Sequence, residues 1–149
     1  MLSPQPSIFC ISISPELGRK KENVDRAILV AGAGILGDIH GSTDRPVSLL
    51  PYESFTRLAH PTLKITPGDF AENITTIGLD LSRLKVGARL MLGETALVEV
   101  IQIGKECHDE CEIRRMAGDC IMPHEGVFVR VLGGGEVRPG DPIKVIKSL

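Results

Sequence analysis

Three of the chain's four cysteines and two of its four histidines fall in one stretch, "GKECHDECEIRRMAGDCIMPHEG", from Gly104 to Gly126. Cys107, His108, Cys111, Cys120 and His124 at this density admit three kinds of chemistry: a disulfide, a metal site, or one reactive thiol with bystanders. Cys107 and Cys111 are four positions apart, so a helix over Cys107 to Met116 puts both on one face. The pattern Cys107-x3-Cys111-x8-Cys120-x3-His124 offers four soft ligands, the number tetrahedral zinc takes, yet it contains no C-x2-C knuckle. A disulfide is disfavoured in a compartment that keeps thiols reduced. The thiolate is the form that ligates metals and attacks. Cys107 follows Gly104 and Lys105 directly after a β-prone run, which sets it at a strand-to-helix junction. A neighbouring ammonium and a helix N-terminus both favour thiolate there. Cys111 and Cys120 are then resolving thiols or buried side chains, and Cys10, inside "IFCISI", reads as a small core residue.

A second group lies earlier. "GAGILGDIHG" sets Gly32, Gly34 and Gly37 in a G-x-G-x-x-G arrangement. A dinucleotide fingerprint also needs a following helix and an acidic residue about twenty positions on. Asp38, Gly41 and Pro46 break any such helix, so a tight glycine turn, backbone against backbone, is expected. Asp38, His40, Asp44 and Arg45 follow it, either as a hydrogen-bond cluster holding the loop or as a ligand site. Glu72 and Asn73 in "PGDFAENITT" allow the same two readings, because Asn and Thr at turns often satisfy their own backbone.

The elements that must position these residues are mostly strands. "IFCISI" and "AILVAG" are β-prone runs, and "RPVSLLPYESFTRLA" reads as a strand followed by a short helix. "ARLMLG" and "ALVEVIQI" around "GET" form the clearest hairpin. "GVFVRVLGGGEVRPGDPIKVI" supplies two strands about its glycines and a third after "PGD". Leu97–Ile103 and Val127–Leu132 are expected as core strands, with Val98, Val100, Phe128 and Val131 among their buried or partly buried residues. "ELGRKKENVD" is expected to be a charged connection whose basic run, Arg19 to Lys21, is solvated. The fold class is mainly β with a few short helices, closed or nearly closed into a barrel so that few strand edges are exposed.

Composition bounds the function. At 149 residues the chain suits one domain spanning 1–149. The net charge of −2 gives no field to recruit nucleic acid, and with no Trp and one Tyr there is little to stack bases on. "MLSPQPSIFC" has no basic start or long apolar run, and "AILVAGAGIL" is too short to span a bilayer. A cytoplasmic protein with no membrane or nucleic-acid partner is expected.

Taken in order, "GILGDIHGSTDRPVSLL", "PGDFAENITTIGLDLSRLKVGARLMLG", "VEVIQIGKECH" and "GVFVRVLGGGEVRPGDPIKV" resemble the MOSC domain family, named for the C-terminal domain of molybdenum cofactor sulfurases, in its bacterial stand-alone type. The motifs run from about Gly34 to Val145. The resemblance implies a MOSC-type β-barrel and handling of the molybdenum cofactor, a molybdenum held by the dithiolene of a phosphorylated pterin (molybdopterin). It implies that Cys107 ligates the molybdenum or carries sulfur, that Asn73 contacts the cofactor, and that Arg45 meets the pterin phosphate. His40 and Lys105 join them as cofactor contacts. The chemistry is coherent: thiolate is a soft ligand, a guanidinium grips phosphate in two places, and an amide reads a pterin's donor and acceptor edge. The pyridoxal-phosphate desulfurase part of full sulfurases is not among these motifs, so no pyridoxal phosphate is expected.

Two functions fit the resemblance. One is a carrier that holds the cofactor, or a sulfur destined for it, and delivers it to molybdoenzymes or cofactor-biosynthesis proteins. The other is a cofactor-dependent reductase of N-hydroxylated compounds fed by a separate electron donor. A structural zinc protein is the reading outside the family. These assignments predict that a thiol-specific label added to the cofactor-free protein marks Cys107 before Cys111 and Cys120. Faster labelling of either of the other two, or one zinc ion bound by all three cysteines and His124, removes Cys107 as the functional thiol.

Overall fold

The computed structural model describes residues 5–14, 21–57, 66–104 and 126–147. Ten strands and one short α-helix are formed by these residues: β1 (Ser7–Ile13), β2 (Glu22–Val24), β3 (Ala27–Leu29), β4 (Val47–Pro51), α1 (Tyr52–Arg57), β5 (Ile74–Ile77), β6 (Arg89–Leu92), β7 (Ala96–Ile103), β8 (Val127–Gly133), β9 (Gly135–Val137) and β10 (Ile143–Lys147). Single 3-10 turns occupy Ile39–Ser42 and Leu81–Arg83. The mainly β expectation holds, and the hairpin of β6 and β7 pairs Leu90 with Val98 and Leu92 with Ala96.

Alternation decides which side of the sheet each residue faces. Along β7, Ala96, Val98 and Val100 are buried while Leu97 and Glu99 are only partly covered. Along β8, Val127, Val129 and Val131 join them in the main core with Leu49, Ile74 and Leu90. A second, smaller core lies on the other face of the sheet, where Leu50, Phe55, Phe70 and Phe128 pack together under α1. Val98, Val100 and Val131 are buried in the main core, and Phe128, also buried, faces the second core on the other side of the sheet, as alternation from Val127 and Val129 requires.

Eight strands share one mixed sheet in the order β10-β6-β7-β8-β4-β5-β1-β2, and β3 and β9 pair separately. The expectation of a barrel is corrected here: the sheet is not closed. Its ends meet at the Ser7–Pro142 bridge and at bonds from the Ile8 N–H to the Asp141 carbonyl (2.9 Å) and from the Gly140 N–H to the Ile8 carbonyl (2.7 Å). The Ile143 N–H also donates to the Pro6 carbonyl (2.8 Å), and β1 shifts register between Ile8 and Cys10. The pair β4–β5 is parallel, with α1 in the crossover between them. That arrangement and the three-residue β2 were not foreseen.

Asn73 stands just before β5 and ties three strands. Its Oδ1 accepts the backbone N–H of Ser48 on β4 (3.0 Å), and its Nδ2 donates to the Ser12 carbonyl on β1 (3.1 Å). The Asn73 N–H donates in return to Ser48 Oγ (3.0 Å), and the Ser12 N–H donates to the Asn73 carbonyl (2.7 Å). The side-chain amide thus stands in for a peptide group where β5 has not yet begun, and the residue has no solvent exposure.

Two further buried polar links hold this end together. Lys21, expected in a solvated loop, is buried: its Nζ meets Asp38 Oδ1 at 2.6 Å, with both side chains almost wholly covered. Asp38 Oδ1 also accepts the Ser14 N–H (2.9 Å), and the Lys21 N–H donates to the Gly68 carbonyl (2.9 Å). Gly68 has φ +96° and a Cβ there would run into the Lys21 carbonyl, so the turn demands glycine. The Gly68 N–H (2.9 Å) and Thr75 Oγ1 (2.8 Å) both donate to Glu72 Oε2, while Oε1 has no partner among the described residues. Burial, against those bonds, pushes the Glu72 carboxyl up to about 7.

Two measurements test this account. Asn73→Ala strips the Ser48 N–H and the Ser12 carbonyl of buried partners and is expected to cost about 2–5 kcal/mol in urea unfolding; a loss under about 1 kcal/mol would show that the stitch is dispensable. Glu72 is protonated more readily in the folded chain, so its contribution is full below its ordinary value of 4.5 and is lost as pH rises through about 7. The stability of Glu72→Gln relative to the parent should therefore grow by about 3 kcal/mol between pH 5 and pH 9. A difference that stays flat over that range excludes Glu72 as the source.

Candidate functional site

The β7–β8 pair ends where the cysteine stretch of the sequence begins. Ile103 pairs with Val127 at the end of the ladder, and one step further the Gly104 N–H donates to the Gly126 carbonyl (2.6 Å). The ladder thus ends at one hydrogen-bonded neck between Gly104 and Gly126. Cys107, Lys105, Cys111, Cys120, His108 and His124 lie outside the described residues.

Beside this hairpin a cleft of about 490 Å3 opens between the β3–β4 loop and the outer face of β7 and β8. The loop supplies Gly41, Thr43, Asp44 and Pro46, and the strands supply Ile101 and Arg130. The volume lies within the range of small-molecule sites. The loop wall is built on the glycine turn expected from sequence. A Cβ on Gly34 would lie 2.7 Å from Gly41 Cα and 2.9 Å from the Pro46 carbonyl oxygen, so backbone lies against backbone. Only the turn Ile39–Ser42 follows, which removes the dinucleotide reading. The Lys21–Asp38 pair anchors the loop from below.

The outer face of the sheet beside the cleft carries a row of charge. Arg130 on β8 pairs across the ladder with Glu99 on β7, and Glu99 with Arg89 on β6. Arg130 Nη2 (2.6 Å) and Nε (3.0 Å) donate to Glu99 Oε1, and Arg89 Nε (3.0 Å) donates to Oε2. The bonds from Arg89 and then Arg130 hold the Glu99 carboxyl below its ordinary range, so the row keeps its charge.

The residues singled out in the sequence fall in different places. Arg45 is exposed at the rim, with its guanidinium carbon 5.4 Å from the centre of the Phe128 ring, a cation–π contact. Its N–H donates to Thr43 Oγ1 (3.3 Å). Asn73 lies beneath the sheet surface, its amide bonded to Ser48 and Ser12; Ser48 in turn pairs with Phe128, the ring under Arg45. Arg45 thus covers one member of this cross-strand pair, Phe128, and Asn73 bonds the other, Ser48. His40 belongs to the turn Ile39–Ser42. Cys10 is half-buried, and burial first, then the Glu72 charge, push its thiol up, which suits packing better than metal ligation. Arg130 was missed. The signal was present in "VFVRV": an arginine in a strand whose neighbours face the core must face outward, opposite whatever β7 presents.

This site can be compared with known proteins. No curated protein matches the sequence. Among solved structures, the fold is similar to the YUAD protein of Bacillus subtilis (TM-score 0.76, 19% identity, 94% of each chain). It is also similar to YiiM of Geobacillus stearothermophilus (TM-score 0.74, 23% identity, 95% of this chain and 75% of that one) and YiiM of Escherichia coli (TM-score 0.67, 22% identity, 97% and 70%). At these identities the likeness is one of fold. The family model of the MOSC domain matches residues 37–144, from the glycine turn below the cleft to the last strand, and the chain belongs to the MOSC domain family.

Proposed function

We propose that this domain binds the molybdenum cofactor, or a sulfur destined for it, and delivers it to a molybdoenzyme or a cofactor-biosynthesis protein. The observation that carries the reading is the cleft of about 490 Å3 on the outer face of β7 and β8, the two strands between which the cysteine stretch lies in sequence. Cys107 is three residues past Gly104, and an extended chain covers at most roughly 11 Å in three residues. The donor set fits the group: a cationic rim for a phosphate, and a thiol close to the cleft in sequence for a soft metal. When bound, the cofactor supplies a molybdenum–sulfur centre on a phosphorylated pterin. The chain's own residues then have distinct tasks. Cys107 as thiolate ligates the metal or holds the sulfur, helped by the charge of Lys105. Arg45 meets the phosphate, and His40 extends from the same loop. Asn73 contributes from below, by fixing the strand under Phe128 and Arg45. The setting is the cytoplasm, where thiols stay reduced; no helix among the described residues is long and apolar enough to cross a membrane.

The test is elemental analysis of protein purified from a host that makes the cofactor. Molybdenum and pterin are expected near one per chain, and Cys107→Ser is expected to lose the molybdenum while unfolding at the parent's denaturant midpoint. Zinc at one per chain, with no molybdenum or pterin, overturns the reading. Turnover of an N-hydroxylated compound with an artificial electron donor marks an enzyme in place of a carrier.

A further inference from the structure

Resting on the cofactor reading above, we propose that Arg130 receives the terminal phosphate monoester of the pterin, with Glu99 and Arg89 as the positioning residues that hold it. Arg45, the residue to which the resemblance gives the phosphate, is at the rim on the Phe128 ring, whereas Arg130 lines the cleft itself. Among the cleft's described lining residues Arg130 is the one cation and Asp44 the one anion. A phosphate inside the cleft is repelled from the Asp44 lip and drawn to the strand wall. Glycine N–H groups often hold phosphates, but on this wall they are already spent: Gly32 donates to the Val131 carbonyl and Gly41 to the Asp38 carbonyl.

A surface arginine paired with one glutamate carries no net charge with its partner, and such pairs are ordinary. This row differs because Glu99 is shared. One carboxylate between Arg89 and Arg130 leaves a net positive charge on the outer face. The Glu99 bonds use Nε and Nη2, so the opposite edge of the Arg130 fork, with Nη1, makes none of them. A guanidinium held on one edge is pre-oriented to offer the other to an oxyanion, which lowers the ordering cost of binding. Phe128 and Arg130 are two residues apart on one face of β8, roughly 7 Å along the strand, so Arg45 over that ring lies on the same face as Arg130.

The experiment titrates the pterin fluorescence of 6-hydroxymethylpterin and its phosphate monoester with the full chain at low and at high salt. The parent is expected to prefer the phosphate ester by at least about tenfold at low salt, with the preference shrinking as salt screens it. Arg130→Gln is expected to bring that preference to within about twofold while leaving the affinity for the unphosphorylated pterin unchanged, and Arg130→Lys to restore at least about threefold. Glu99→Gln adds a unit of net positive charge to the row, so a preference that nonetheless weakens is expected from lost orientation, and one that strengthens removes Glu99 as a positioning residue. If Arg130→Gln keeps the preference and Arg45→Gln removes it, Arg130 is only half of a surface ion pair. If Arg130→Gln lowers both affinities together, its role is structural and the proposal falls. If the parent binds neither compound, the cofactor reading itself fails and takes this assignment with it.

Discussion

A carboxamide in place of a peptide group is the constraint on which this fold rests. Strand β5 runs parallel to β4 and antiparallel to β1, so its first residue must bridge two neighbours of opposite polarity. A backbone offers one N–H and one C=O per residue, alternating in direction. Asn73 adds a second such set through its side chain and reaches Ser48 and Ser12 at once. No other side chain except glutamine carries both a donor and an acceptor in this amide form, and the extra methylene of glutamine would push it out of register. The buried sheet, the second core under α1 and the floor beneath Phe128 all depend on that joint.

The same end of the molecule concentrates buried polarity. Lys21 with Asp38, and Glu72 with Gly68 and Thr75, are joined through the Gly68 turn, whose N–H and carbonyl serve one pair each. Buried ion pairs contribute little net stability, because desolvation offsets their attraction. What they do is specify geometry: the loop that begins at Asp38 can leave the sheet in one direction only. The cleft wall at Gly41, Thr43 and Pro46 inherits its position from a charge pair that never touches a ligand.

How far the sequence foretold this depends on the range of the interaction. The β6–β7 hairpin and the inward residues of β7 and β8 follow from alternation within a few positions, and the glycine turn follows from its own steric demand. The buried Lys21 does not, because its partner is 17 residues away and a basic run looks the same solvated or paired. Asn73 was legible as a residue of interest, but its partners lie 25 and 61 positions off, and no local pattern names them. Where the sheet stops short of closure was not legible either, because the contact between β1 and the chain before β10 joins residues more than 130 positions apart. Arg130 was hidden for another reason: it sits in a strand chosen for its core residues, and its meaning depends on facing Glu99, which only register reveals.

The neck between Gly104 and Gly126 has a consequence for how such a domain can change over time. The two glycines meet at one hydrogen bond at the end of the β7–β8 ladder, so any chain joined between them starts and finishes at a single point of the sheet. Closing a longer loop adds only about 0.6 kcal/mol per doubling of its length. A lineage can therefore vary the length of chain between these two glycines at small entropic cost, because both of its ends are fixed side by side whatever that length is.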